Sequence, residues 1–437
     1  MMEVINIPKN KTTAVKNRTG LLYMVFVLLA ILLFLRDSFD ISINKYIFII
    51  IIIPYILFAK FENAILLWVA IMPLYVGLPG NYITFAVLLK FAYIYLFKSK
   101  GKIKPQLLQL SLTISLMIYV LIQNLRLKTT GTYNMICIPE LLLVYLFISL
   151  NKIFGSKKIT LMYSVGVCTV GIIMLSTTLN HYALSDLLSS TSRLGTSAVQ
   201  TLGDMNVNID PNYYGFFVLT ALSCNWLLVE AKTYSKKEKR VVFITSVISV
   251  VIALIGLSRS FVLCLAIWIV MVLLFQKRFK QTVALLFIVG IFIFMISQVA
   301  PDILTSTIDR FNESDILTGN NRTILISYWF NIWKSAAIFV IFGAGIFICN
   351  VHCMQLQYLF GLGITGFLLI FILAVRYIKI ERKQFSRILR SSYIPMLIVQ
   401  ISAATIPIAQ SLTFMFPTII TLVSFGYANI KNRLDES

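Results

Sequence analysis

Long apolar runs, bounded by charge and separated by short polar stretches, recur from Leu21 to Ala428. Runs of this kind predict membrane-spanning helices, because a hydrocarbon core of about 30 Å takes roughly 20 helical residues to cross. The expected spans are 20–36, 45–59, 62–79, 82–97, 106–124, 134–150, 159–178, 211–230, 241–257, 260–276, 281–298, 352–375, 391–409 and 412–428. The pattern therefore predicts an all-α polytopic membrane protein of about 14 transmembrane helices. It forms a single integral membrane domain over 1–437, with no soluble domain left over.

The polar connections fall into two alternating sets. One is basic: the stretch from Lys9 to Arg18, Lys60, Lys98 to Lys104, Lys152 to Lys158, Lys232 to Arg240, Lys277 to Lys280, Arg376 to Arg390, and Lys431 with Arg433. These hold most of the 38 lysines and arginines, so this side is expected to be cytoplasmic, with both termini on it. The other set is nearly free of lysine and contains the two longest loops, an outer loop at 179–210 and a larger one at 299–351. Within the larger loop, 323–350 is apolar enough to resemble a span. If it crossed, Arg376 to Arg390 would face outward against the charge rule. The expectation is an interfacial helix lying in or re-entering the outer surface, with Trp329 and Trp333 one turn apart as anchors.

Composition changes this picture little. The chain has 437 residues, 59% hydrophobic and 13% charged, with a mean hydropathy of +0.87. A net charge of +21 would suggest nucleic acid in a soluble protein. Here the topology rule accounts for it, and no nucleic-acid partner is expected. Cysteines 137, 168, 224, 264, 349 and 353 are scattered and predict no disulfide framework. The basic N-terminus precedes an apolar run without a small-residue cleavage site, which predicts an uncleaved first span.

Candidate chemistry concentrates on the outer side of the second half. The cations there are Arg193, Arg259, Arg310 and Arg322, with Lys334. A guanidinium holds phosphate oxygens in pairs, so outer arginines with no run of acids beside them suit an anionic ligand. Arg259 sits in Leu257-Ser258-Arg259-Ser260 between two apolar runs with almost no loop. It either faces an aqueous cavity or snorkels to headgroups. Asp210-Pro211-Asn212-Tyr213-Tyr214-Gly215 opens the next span, and a capping aspartate with a first-turn proline explains its beginning. Glu140, beside Pro139, is a candidate partner for an outer arginine.

The chain has two histidines. His352 lies where the large loop meets a span and suits acid–base work or a satisfied helix end. His181, between Asn180 and Tyr182, reads as structural. Lys90, inside a span, is either a functional group or a snorkelling one. Gly361-x-Gly363-x-x-Gly366 matches a dinucleotide pattern but lies in a span with no strand before it, so close helix packing is expected. Cys349, His352 and Cys353 fall within five residues and do not easily surround one ion, so no metal is expected.

Taken in order, these motifs resemble the O-antigen ligase and O-antigen polymerase superfamily. The resemblance covers 190–370. It rests on Arg193-Leu194-Gly195, then Asp210 to Gly215, then Leu257 to Ser260, then Arg322-Thr323 with Trp329 and Trp333. Phe342-Gly343-Ala344-Gly345, Val351-His352 and Gly361 to Gly366 complete the series. It implies a GT-C-like, metal-independent membrane glycosyltransferase with a large outer loop and no cofactor. The implied donor and acceptor are undecaprenyl-diphosphate-linked glycans, met in membrane lipid on the extracytoplasmic face of a bacterial cytoplasmic membrane. Arg259 and Arg322, with Arg193 as a third, would bind the diphosphate, and His352 would activate the acceptor hydroxyl. Asp210, Asn212, Arg310 and Glu140 are supporting candidates, and flippase and chain-length regulator proteins are implied partners. The expected activity is polymerisation of repeat units into a capsule or O-antigen. A ligase acting on lipid A core is the alternative. A secondary transporter or lipid-linked glycan flippase is the reading from another class, and it predicts midplane charges in both halves.

Overall fold

The computed structural model describes residues 16–98, 107–127, 132–154, 158–184, 187, 194, 209–256, 258–275, 305, 322–345, 349, 351, 353–382, 393–404, 419–421 and 424. The first half contributes α1 (Lys16–Ser38), α2 (Lys45–Phe58), α3 (Phe61–Ile71, prolonged by a 3₁₀ segment Met72–Gly77), α4 (Gly80–Tyr93), α5 (Leu107–Arg126), α6 (Thr132–Phe154) and α7 (Lys158–Leu179). The second half contributes α8 (Pro211–Glu230), α9 (Lys236–Ile255), α10 (Arg259–Phe275), α11 (Arg322–Lys334), α12 (Ala337–Phe342), α13 (Met354–Arg382) and α14 (Ile394–Ala403). Among the described residues there is no strand. The expected spans 281–298 and 412–428 (apart from 419–421 and 424) lie outside the described residues, as do 195–208 and 306–321 of the two expected outer loops.

Among the described residues, five helices are long and apolar enough to cross a membrane: Gly20–Ser38, Gly80–Lys98, Leu107–Arg126, Lys158–Leu179 and Met354–Arg376. Shorter apolar helices accompany them. Large apolar side chains such as Met24, Leu89, Leu125, Leu263 and Phe371 point outward from several of these helices. So much exposed hydrocarbon suits a lipid surround and not water.

Local sequence explains where the helices start. Asp210 accepts the Asn212 N–H at 2.7 Å and Pro211 opens α8. Ser235 and Glu238 form a reciprocal capping box on α9. That cap draws α9 back to Lys236, five residues before the expected start at 241, because the lysines of 236–240 are good helix formers despite their charge.

The centre of the fold is α7, packed against α1, α3, α8 and α9. Small residues let it in: a Cβ on Gly166 would fall 2.0 Å from the Ala70 carbonyl oxygen, and one on Gly171 would fall 2.0 Å from the Tyr214 hydroxyl. Trp68, Phe91 and Phe147 form an aromatic knot beside it, with centroids 5.2 to 6.1 Å apart. The C-terminal end of α1 is closed by a buried Arg36–Asp37 pair at 2.5 Å, with Arg36 also donating to the Gly77 carbonyl at 2.8 Å. Lys90 donates to the Leu57 and Ala59 carbonyls at 2.7 and 2.9 Å, so it satisfies the C-terminal end of α2.

The stretch 323–350 was expected to hold one interfacial helix. The structure has two, α11 and α12, separated at Ser335 and Ala336. At 13 residues, the longer is only about 20 Å of helix. Both pack on α13, which is itself broken at Gly363, where φ is 67° and ψ −179°.

Candidate functional site

The first part of the site is the junction of α8, α9 and α10. Asn212, in the first turn of α8, accepts hydrogen bonds through its amide oxygen from Ser258 at 2.7 Å and Ser260 at 2.9 Å. The two hydroxyls lie 3.1 Å apart, and Ser258 also accepts the Phe261 N–H at 3.3 Å. These bonds fix the abrupt turn between α9 and α10. Arg259 stands between the two serines, partly exposed, with no hydrogen-bond or ion-pair partner among the described residues. Leu194 is fully buried in the core, and its Cδ2 lies 3.4 Å from the place a Cβ on Gly256 would take. Three sequence motifs thus meet at the junction that carries Arg259: Leu194 of the first loop, which with Pro211 flanks Gly256, Asn212 of the second motif, and Ser258 to Ser260.

Asn212→Ala is expected to leave both serine hydroxyls short of an acceptor and to lower stability by about 1–3 kcal/mol. Asn212→Asp keeps acceptor oxygens and should lose less. Thermal unfolding of the two variants in detergent checks the order, and equal midpoints for both would show the amide oxygen is not the hub.

The second part is a backbone crossing. The turn after α12 runs beside the break in α13, with the Ala344 N–H donating to Phe360 at 2.8 Å and the Gly345 N–H to Gly361 at 2.9 Å. Gly343, Gly345 and Gly363 all have positive φ, at 78°, 112° and 67°. The expected role of Gly361, Gly363 and Gly366 was close helix packing, and it holds at Gly366, where a Cβ would fall 2.7 Å from the Tyr119 ring of α5. Gly363, with Gly343 and Gly345, instead lets two broken helices exchange backbone hydrogen bonds. Breaking a helix in an apolar setting frees carbonyls that need donors. One face of α5 supplies them. Tyr119 donates to Phe342 at 3.0 Å and Leu362 at 2.5 Å, Gln123 to Phe342 at 2.8 Å and Gly361 at 2.6 Å, and Arg126 to Gly343.

Beyond the crossing, Ala344, Cys349, Val351 and Trp329 form a buried cluster with Phe360. Burial there pushes the Cys349 thiol up to about 12, which leaves it a poor nucleophile. Cys353 donates from its thiol to Gln355 at 3.5 Å and from its backbone to the Val351 carbonyl at 2.7 Å. Gln355 in turn donates to the Gln400 carbonyl at 3.0 Å, tying the start of α13 to α14. The other faces of α14 pack against α8 and α10, the helices that carry Asn212 and Arg259. One short helix therefore links the two parts.

Of the residues expected in the site, Asp210, Asn212 and Arg259 come together. Arg322 is the first residue of α11, and its side chain is not described. Arg193, Arg310 and His352 lie outside the described residues. Glu140 is buried near Tyr75 in the first half of the chain, and Arg259 does not reach it. Sequence reasoning overlooked Tyr119, Gln123 and Arg126. Their signal was available: Tyr119, Gln123 and Arg126 lie four and three residues apart, a spacing that puts them on one helix face.

No protein-family model matches this chain, and a search of curated proteins finds no match either.

Proposed function

We propose that this chain is a bacterial inner-membrane polysaccharide polymerase, joining undecaprenyl-diphosphate-linked repeat units on the outer face of the membrane. The observation that carries this reading is the meeting of Leu194, Asn212 and the Ser258–Ser260 turn at the junction that carries Arg259, which is partly exposed and has no partner among the described residues. An arginine carried on a hydrogen-bonded turn, with no counterion among the described residues, suits an anionic ligand, and a lipid diphosphate brings that charge to this depth. The reading includes about 14 spans, both termini in the cytoplasm and a GT-C-like architecture.

In the proposed reaction, an acceptor sugar hydroxyl attacks the anomeric carbon of the donor glycan. The bond from that carbon to the diphosphate oxygen breaks, and its electron pair leaves with undecaprenyl diphosphate. The hydroxyl proton passes to His352, and the configuration at the carbon inverts. Arg259, Arg322 and Arg193 offset the charge that develops on the leaving diphosphate, as preorganised donors in a site of low dielectric. A transporter reading calls for working charges near the midplane of both halves. Lys90, the charge in the first half that leaned that way, is occupied in capping α2.

Membranes containing the chain, supplied with a synthetic lipid-diphosphate repeat unit, test the proposal. A ladder of products indicates a polymerase. A single transfer to a lipid A-like acceptor indicates a ligase. Movement of the unit across the bilayer with no new glycosidic bond would end the enzyme reading.

A further inference from the structure

Ser258 and Ser260, the residues on either side of Arg259 in the chain, both donate to the amide oxygen of Asn212, at 2.7 and 2.9 Å. We propose that Asn212 binds the donor diphosphate beside Arg259, through an amide NH2 group that these two serines hold in one orientation. The proposal rests on the polymerase reading for the identity of the ligand.

An amide oxygen has two lone pairs and each serine hydroxyl one proton, so the two serines fill the acceptor side of the group. The other side carries two N–H donors and accepts nothing. Asn212 stands in the first turn of α8 and Arg259 opens α10, and both are partly exposed. Bonds to the residues flanking Arg259 keep the Asn212 side chain within reach of whatever the guanidinium binds. A diphosphate presents anionic oxygens on two phosphorus atoms, so a charged fork and a neutral amide can hold it together. Asp210 already brings one carboxylate to this end of α8, where it caps the helix by accepting the Asn212 N–H at 2.7 Å. If Asn212 only shaped the turn, an acceptor oxygen would be all it needs, and an aspartate supplies that. If it binds an anion, aspartate is the worst replacement, because it lacks the donors and repels the ligand. The two roles therefore rank Asn212→Ala and Asn212→Asp in opposite orders.

The test uses the full chain in nanodiscs, as wild type, Asn212→Ala and Asn212→Asp, each taken from the folded peak of size-exclusion chromatography. Each is titrated with undecaprenyl diphosphate and assayed for transfer with the synthetic lipid-diphosphate repeat unit. Asn212→Ala should weaken binding of undecaprenyl diphosphate about tenfold, the usual effect of losing a hydrogen bond to a charged group. Asn212→Asp should weaken it at least about tenfold further, although it unfolds at the higher temperature of the two. KM for the repeat unit should rise in the same order. Binding by Asn212→Asp as tight as that of Asn212→Ala, or tighter, would make Asn212 a turn-forming residue alone and overturn the proposal. A wild type that transfers glycan, with both variants keeping its affinity and KM, also overturns this proposal alone. Binding in the predicted order with no glycosidic bond formed by wild type keeps Asn212 as a diphosphate ligand and ends the polymerase reading alone. Neither binding nor product from wild type ends both.

Discussion

Arg259→Ala is expected to lower the rate of glycan transfer from a lipid diphosphate by about 10²–10³-fold, the usual effect of removing one preorganised donor from a developing anion. Folding should survive the change. Arg259 has no partner among the described residues, so its removal strands no buried group. The serine–asparagine bonds that shape the junction are made by its neighbours and remain in place. Arg259→Lys should recover little, since a point charge does not reproduce the paired donors of a guanidinium. Initial rates in membranes, normalised to the amount of folded protein, decide the matter. A rate equal to wild type would remove Arg259 from the site.

The second large effect concerns folding. Gly363→Ala and Gly343→Ala should each prevent the protein from accumulating in the membrane. At Gly363, φ is 67° with ψ near −179°, a region that is essentially glycine's own. A Cβ there would lie 2.4 Å from the Gly343 nitrogen and 2.5 Å from the Ile341 carbonyl oxygen. At Gly343, the Cβ would lie 2.3 Å from the Gly361 carbonyl oxygen. These are backbone atoms, and they can retreat only by giving up the bonds of Ala344 to Phe360 and Gly345 to Gly361. Strain of about 1–3 kcal/mol therefore adds to the loss of hydrogen bonds and packing, and the sum exceeds about 4 kcal/mol. Gly20→Ala is the control, since nothing lies within 4 Å of its Cβ. Fluorescence-detected size-exclusion chromatography reads the outcome. A sharp peak of normal height for either variant would show that the crossing can relax.

Much of the helix map was legible because hydropathy and caps agree. The expected span 211–230 coincides with α8, and the Asp210 and Pro211 signals lie at its start. The breaks were not legible. Hydropathy counts 323–350 and 352–375 as continuous apolar stretches and cannot register a glycine at positive φ. Nor does it reveal that α5 turns Tyr119, Gln123 and Arg126 toward the freed carbonyls. In the site, the residue types pointed to anion chemistry, and the structure brings Asn212 to the Ser258–Ser260 turn. That contact joins residues 46 positions apart in the chain, a distance at which local pattern carries no information.

Reconstitution of the purified chain in liposomes tests the central claim most directly. The liposomes would hold one purified undecaprenyl-diphosphate-linked repeat unit, with EDTA present and no nucleotide added. The predicted result is a ladder of glycans and one undecaprenyl diphosphate released for each new bond, with both lost in Arg259→Ala, Arg322→Ala and His352→Ala. Absence of any covalent product from wild type, or an undiminished ladder from all three variants, would contradict it.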